Sequence, residues 1–214
     1  MNQIKHIIWD WNGTILNDAW LCVEIINEML LKRDKTPISE KFYSEAFDFP
    51  VKIYYERVGF DFQVETIENL SVEYMSIYEK RKYECQLHAY FNKLQCIIKK
   101  NNIKQSILSA YSENYLKDIL LYHKMINKFS NVSGLSHILA DSKIENGKIL
   151  MKKLNIPKEK CIFIGDTIHD LDTAQAMGVK CWLYPSGHNS RKRLEARTDK
   201  IINQFSDVTH AIMQ

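Results

Sequence analysis

The stretch Ile4-Lys5-His6-Ile7-Ile8-Trp9-Asp10-Trp11-Asn12-Gly13-Thr14-Ile15-Leu16 decides the fold. Ile7 to Trp9 are residues that favour strands. The run ends abruptly in Asp10, and the turn signal Asn12-Gly13 follows, then Thr14. A carboxylate at the C-terminal end of a buried strand costs free energy unless it is paired. Open α/β sheets bind their ligands at that edge. An aspartate there can also serve plain turn chemistry. A second stretch, Cys161-Ile162-Phe163-Ile164-Gly165-Asp166-Thr167-Ile168-His169-Asp170, repeats the design. It is another apolar run ending in a carboxylate, with a further carboxylate four positions on.

Together the two stretches resemble the haloacid dehalogenase superfamily of phosphohydrolases. Its first motif, Asp-x-Asp-Gly-Thr, reads here Asp10-Trp11-Asn12-Gly13-Thr14; its last, Gly-Asp-x-x-x-Asp, reads Gly165 to Asp170. Two motifs in this order and spacing are a specific signal. The resemblance implies an α/β fold: a Rossmann-like doubly wound parallel sheet with an inserted α-helical cap domain. It places the core in 1–16 and 89–214 and the cap in 17–88.

Composition sets the bounds. A chain of 214 residues fits one large domain or two small ones. The 45% apolar and 26% charged residues are ordinary for a globular protein. A net charge of +3 does not argue for nucleic acid. No stretch approaches the ~20 apolar residues of a membrane span. The chain runs straight into its first strand, so no signal peptide is expected. Five scattered cysteines without a Cys-x-x-Cys pair suit a reducing cytoplasm rather than a zinc site or disulfide framework.

After the first motif, Asn17 or Asp18 can cap a helix. Apolar positions from Trp20 to Leu30 recur at helical spacing, and no second strand is expected here. The chain reads helical from about 18 to about 88, with breaks near Thr36-Pro37, Phe49-Pro50 and Gly59. Val64 to Glu84 carries Ile67, Leu70, Tyr74, Ile77 and Tyr78 on one helical face. Half of the aromatics lie in residues 42–90; most are read as the cap's own core. Phe47-Asp48-Phe49-Pro50-Val51 is the exception, a turn with aromatics on both sides of an acid. The resemblance implies that such a cap loop helps to select the substrate, through Phe49 and Pro50.

From about Ala89 strands and helices alternate. A helix carries Leu94, Ile97 and Ile98. A strand, Gln105 to Ser109, leads into Ala110-Tyr111 and a helix capped by Ser112. A hydroxyl at a strand end just before a helix N-terminus suits phosphate, because free N–H groups point at the ligand. Further strands are expected at Leu135–Leu139, Cys161–Ile164 and Val179–Tyr184, with Ile201-Ile202 as an edge strand and Asp207 capping a last helix. Arg191-Lys192-Arg193 reads as a solvated helical face.

The resemblance implies roles. Asp10 is the nucleophile that forms an aspartyl-phosphate. Asp10, the main-chain carbonyl of Asn12, Asp166 and Asp170 hold Mg2+, as clustered oxygen ligands would. Ser109, Ala110, Gly13 and Thr14 bind the phosphate. The motif lysine lies roughly 20–25 residues before the last motif in the family. Lys143 is 23 residues before Asp166 and Lys148 is 18 before it; Lys143 is chosen and Lys148 stays open. The implied activity is a magnesium-dependent phosphatase of a small phosphorylated metabolite, similar to phosphoglycolate phosphatases, with no nucleic-acid or membrane partner. Asn12 departs from the pattern, because the family's phosphatases carry an acid/base aspartate there. An amide exchanges no proton at neutral pH. The expected consequences are slow turnover, restriction to good leaving groups, a substitute acid among His169, His188 and Asp48, or a phosphate-binding protein without turnover. The dehalogenase branch lacks the full acid set, and Gly165-Asp166 speaks against it.

Overall fold

The computed structural model describes residues 4–135 and 142–213. Strand β1 (His6–Trp9) is followed by β2 (Leu16–Asn17) and four helices, α1 (Ala19–Leu31), α2 (Glu40–Ala46), α3 (Val51–Arg57) and α4 (Ile67–Arg81). After β3 (Gln86–Leu87) the chain alternates: α5 (Phe91–Lys100), β4 (Lys104–Ser112), α6 (Glu113–Tyr122), β5 (Asn131–Leu135), α7 (Ser142–Leu154), β6 (Cys161–Gly165), α8 (Ile168–Met177), β7 (Lys180–Leu183), α9 (Arg191–Glu195) and α10 (Phe205–Met213).

Five strands form one sheet in the order β5-β4-β1-β6-β7, and every pairing is parallel. The chain starts in the middle, fills one side with β4 and β5, then crosses back to β6 and β7. The order reverses beside β1, so the C-terminal tip of β1 is the switch point where such sheets open a crevice. All four residues of β1 are buried, because helices cover both faces. Ile7 and Trp9 pack with α5, α6 and α10, whereas Ile8 packs with α7, α8 and α9. Trp9 meets Phe91 and Phe205 edge-on, at 5.4 and 5.8 Å between ring centres, and its indole N–H donates to Gln105 Oε1 at 2.9 Å. A continuous apolar run is what a parallel strand buried on both faces requires.

The doubly wound parallel sheet and the inserted helices agree with the sequence reading; several boundaries do not. A second strand does exist: β2 pairs antiparallel with β3, a two-residue ribbon where the chain enters and leaves the helical insert. Two residues are too few for a visible alternation. Asp18 stands at the N-cap of α1 without capping it; its oxygens are taken elsewhere, as described below. The helix expected over 64–84 spans Ile67–Arg81, with Thr66 as its hydroxyl cap. Strand β4 runs three residues past Ser109, and Ser112 makes no side-chain cap bond to α6. The strand expected at Leu135–Leu139 is Asn131–Leu135 instead; 136–139 lie outside the described residues. Asn-Val-Ser-Gly-Leu has weak strand preference, and pairing with β4 overrides it. Ile201 makes a single bridge to Leu183 rather than an edge strand. Asp207 sits inside α10 and reaches back to the N–H groups of Asn203 and Gln204. In the insert, Tyr43, Tyr54, Tyr55, Phe60 and Tyr78 are buried together, while Phe42 is exposed. Among the described residues, no helix is long and apolar enough to cross a membrane.

Candidate active site

Parallel register brings the strand tips together. Trp9 pairs with Ile107 on one side and Ile164 on the other. Asp10 continues the ladder by one bond, its N–H donating to Ile164 O at 2.9 Å. Asp10 and Asp166 therefore leave adjacent strands at the same edge. Asp170 joins them from the first turn of α8. Thr167 caps that helix, and Asp170 Oδ2 accepts from the Thr167 hydroxyl at 2.7 Å and its N–H at 2.9 Å. Carboxylate oxygens of Asp10, Asp166 and Asp170 all lie within 4.8 Å of one another, and all three residues are buried. Lys143, on the first turn of α7, reaches in from the helix packed beside α8. Its Nζ donates to Asp10 Oδ1 at 2.6 Å and to Asp170 Oδ1 at 2.5 Å. Lys148 is exposed and pairs with Glu145 instead.

Three buried carboxylates face one ammonium, so with all three ionised the cluster would carry uncompensated negative charge. Burial pushes the Asp10 carboxyl up to about 8; Lys143 pulls against this, while Asp170 and Asp166 add to it. Burial also raises Asp166, with Asp170 as the next cause. Asp170 is burdened by burial too, but the charge and hydrogen bond of Lys143 hold it below its ordinary value. Burial disfavours the Lys143 ammonium, yet Asp10 and Asp170 raise it further. A hard divalent cation fits this set: the donors are all oxygens, they are preassembled, and their charge exceeds the one lysine. Asp10, Asp166 and Asp170 would hold Mg2+ here.

Two loops close on Asp166. Its Oδ1 accepts from the Thr14 hydroxyl at 2.8 Å and its Oδ2 from the His188 N–H at 2.6 Å. A Cβ on Gly13 would lie 2.3 Å from Asp166 Oδ2, and one on Gly187 2.1 Å from it, so only glycine lets both loops approach. Gly13 also has φ of +72°, which glycine adopts at little cost. The Thr14 hydroxyl is thus spent on Asp166. The Gly13 N–H, expected at a phosphate, donates to Asp18 Oδ1 at 2.7 Å. Ser109 is buried two residues beyond the Trp9–Ile107 pair, and its Oγ accepts from the Tyr111 N–H at 3.1 Å. Register with β5 breaks between Leu108 and Ser112, so Ser109 and Ala110 stand outside that ladder. Such irregularities commonly re-aim groups near sites.

The insert reaches the same edge. The Phe49 ring lies 4.7 Å from His169, and the Phe47 ring 5.1 Å from His188. His169 is therefore packed against Phe49 rather than turned to solvent. Pro50 precedes α3. Arg193 is not a solvated cation: it donates to Phe47 O and pairs with Asp48 at 3.1 Å. Asp48 also pairs with Arg57 at 3.2 Å. Sequence reasoning missed Asp18, Tyr78, Tyr43 and the positioning part of His188. The Tyr78 hydroxyl bonds Asp18 at 2.6 Å, and the Tyr43 hydroxyl bonds His188 Nδ1 at 2.8 Å. The acid five residues past Gly13 was the available signal; the tyrosines looked like core. Asp18, Cys22 and His188 also lie within 4.8 Å of one another. The oxygens of Asp18 are already filled by donors from Gly13, Asn12 and Tyr78, which accounts for that trio by hydrogen bonding.

The haloacid dehalogenase-like hydrolase family matches residues 7–184, and the chain belongs to it. No curated protein matches the sequence. Solved structures share the fold at low identity. A predicted phosphatase from Clostridium acetobutylicum is 18% identical, with 99% of each chain covered and a TM-score of 0.80. A predicted phosphoglycolate phosphatase from Haemophilus somnus is 19% identical, with 100% of each chain covered and a TM-score of 0.79. Protein Tyrosine Kinase A from Mycobacterium tuberculosis is 17% identical, with 99% of each chain covered and a TM-score of 0.82. One fold carrying such different names sends the functional argument back to the site.

Proposed function

We propose that the chain is a magnesium-dependent phosphatase of a small phosphorylated metabolite, phosphoglycolate phosphatase-like and cytoplasmic. The core comprises 1–16 and 89–214, and the helical insert, 17–88, is a substrate-selecting cap. The observation that carries this reading is the Lys143 ammonium shared between Asp10 and Asp170 inside a trio of buried carboxylates. A lone turn-capping aspartate needs no such partner.

In this reading an oxygen of Asp10 attacks phosphorus and the ester oxygen departs, leaving an aspartyl-phosphate. Mg2+ held by Asp10, Asp166 and Asp170 would supply positive charge that offsets the repulsion between a carboxylate nucleophile and a phosphate. Lys143 neutralises charge on the transferring group, and Ser109 and Ala110 orient it. Positioning and charge stabilisation are most of what phosphoryl transfer needs. Phe49, whose ring packs against His169, and Pro50 beside it are the insert residues that meet the substrate. A panel of phosphate esters assayed with and without Mg2+, with Asp10→Asn as control, tests the proposal. Metal-dependent phosphate release that vanishes in the variant is expected. Halide release without metal would instead favour the dehalogenase branch.

A second reading, a phosphate-binding or regulatory protein, is favoured by the amide at position 12. Its signature is phosphate or ester binding with no release from any donor.

A further inference from the structure

We propose that Asp10 takes a phosphoryl group from acyl phosphates and retains it, so that the phosphorylated chain accumulates. This rests on the reading of Asp10 as the nucleophile.

The argument starts at Asn12. Its Nδ2 donates to Asp18 Oδ2 and to the Tyr78 hydroxyl, each at 2.7 Å. The Tyr78 proton goes to the same Asp18 oxygen at 2.6 Å. Asp18 and Tyr78 are both buried, so water does not compete for these bonds. Asp18 Oδ1 accepts from the Gly13 N–H and its Oδ2 from the Tyr78 hydroxyl, so Asp18 is an acceptor here and the amide nitrogen faces it. The remaining polar atom of Asn12 is its carbonyl oxygen, which carries no proton. An ionised carboxylate at position 12 would face Asp18 with nothing to donate. The triangle of Asn12, Asp18 and Tyr78 is built for an amide. Two residues from the nucleophile, the chain therefore has a side chain that neither gives nor takes a proton.

The two chemical steps feel this differently. In the first, the Asp10 oxygen bonds to phosphorus, the bond from phosphorus to the donor oxygen breaks, and its electron pair leaves with that oxygen. An alkyl ester leaves as an alkoxide, which needs a proton. An acyl phosphate leaves as a carboxylate, which needs none. In the second step a water oxygen bonds to phosphorus, the bond from phosphorus to the Asp10 oxygen breaks and its electron pair leaves with the carboxylate, and the water's proton passes to solvent. A base at position 12 is missing there whichever donor was used. General acid–base help is typically worth ~10²–10⁴-fold. Acyl donors therefore load Asp10 faster than water clears it.

The test is incubation with acetyl phosphate and Mg2+, followed by intact mass and released phosphate. Peptide mapping first establishes that Asn12 has not deamidated. The expected result is one phosphoryl group on most chains, labile to hydroxylamine, absent from Asp10→Asn, and persisting after the donor is removed. In the exchanged variant Asn12→Asp/Asp18→Asn, which keeps one carboxylate and one amide in the triangle, the label lifetime falls ~10²-fold or more. Steady phosphate release with no labelled chain overturns the inference, whether from acyl phosphates or alkyl esters, and leaves the phosphatase reading standing. Neither label nor release from any donor overturns both. The persistence measured on the unmodified chain decides the matter even if the exchanged variant does not fold.

Discussion

The two ends of the central strands solve opposite problems. At the N-terminal end of β1, His6 Nε2 meets Ser106 Oγ at 2.8 Å, and Asn131 Nδ2 donates to the same hydroxyl at 3.2 Å. This is a neutral network whose polar groups are paired, as buried groups should be. At the C-terminal end, four residues further along β1, three carboxylates share one lysine. Both ends are buried, so burial does not mark the site. Uncompensated charge does. A neutral network stabilises the fold by itself, whereas a surplus of buried carboxylates is tolerable only if something positive arrives.

The contrast can be broken at either end. The largest effect is expected from Asp10→Asn, which should cut phosphoryl transfer by ~10³-fold or more while leaving the chain folded. Unchanged transfer, followed as phosphate release or chain labelling, would remove the C-terminal edge from the chemistry. Next come two pH dependences of opposite sign. The metal-free Asp10 carboxyl, raised to about 8 by burial first, keeps its proton in the folded state after the unfolded chain has lost it above about 3.8. Stability of the metal-free protein should therefore fall as pH rises between those values. Mg2+ at about a hundred times its dissociation constant should oppose this by about 2.7 kcal/mol. Thermal melts with and without Mg2+ across that range, repeated on Asp166→Asn, check it.

His6 runs the other way. Burial, then Lys104, holds it down to about 4 against an ordinary 6.5. The folded state keeps it neutral while the unfolded chain protonates it. Stability should fall as pH drops from 6.5 through 4, by about 3 kcal/mol. Denaturant titrations of His6→Gln should show that part of the slope gone, with no change in the Mg2+ effect. The smallest effect is expected from Lys148→Ala, whose exposed pairing with Glu145 is worth under about 1 kcal/mol. A large loss of transfer in that variant would mean that the wrong lysine has been placed at the nucleophile.

Much of the fold was legible because its signals are local. Ile7–Trp9 and Cys161–Gly165 are continuous apolar runs, and the cap residues and Gly178 bound α8. Asn131–Leu135 was not legible, because Asn131, Ser133 and Gly134 break any apolar run and the strand is held by its pairing with β4. The site divides in the same way. Asp10, Asp166 and Asp170 stand out as acids at the ends of apolar runs or just beyond. Thr14 and Gly13 were visible as motif residues, but the turn of the loop spends their hydroxyl and N–H on Asp166 and Asp18. Arg193 looked like part of a solvated face until the Phe47 carbonyl and Asp48 were found against it.

The sequence by itself determined the apolar runs of β1 and β6, the acids at their tips and the amide at position 12, since each is carried by neighbours along the chain. Tertiary structure alone decided that Lys143 rather than Lys148 touches Asp10, and that Asn12 is held by Asp18 and Tyr78. The reason is geometric: strand register and helix docking fix which distant side chains come within hydrogen-bond reach, and a change of helix face between Lys143 and Lys148 separates a buried ammonium from an exposed one.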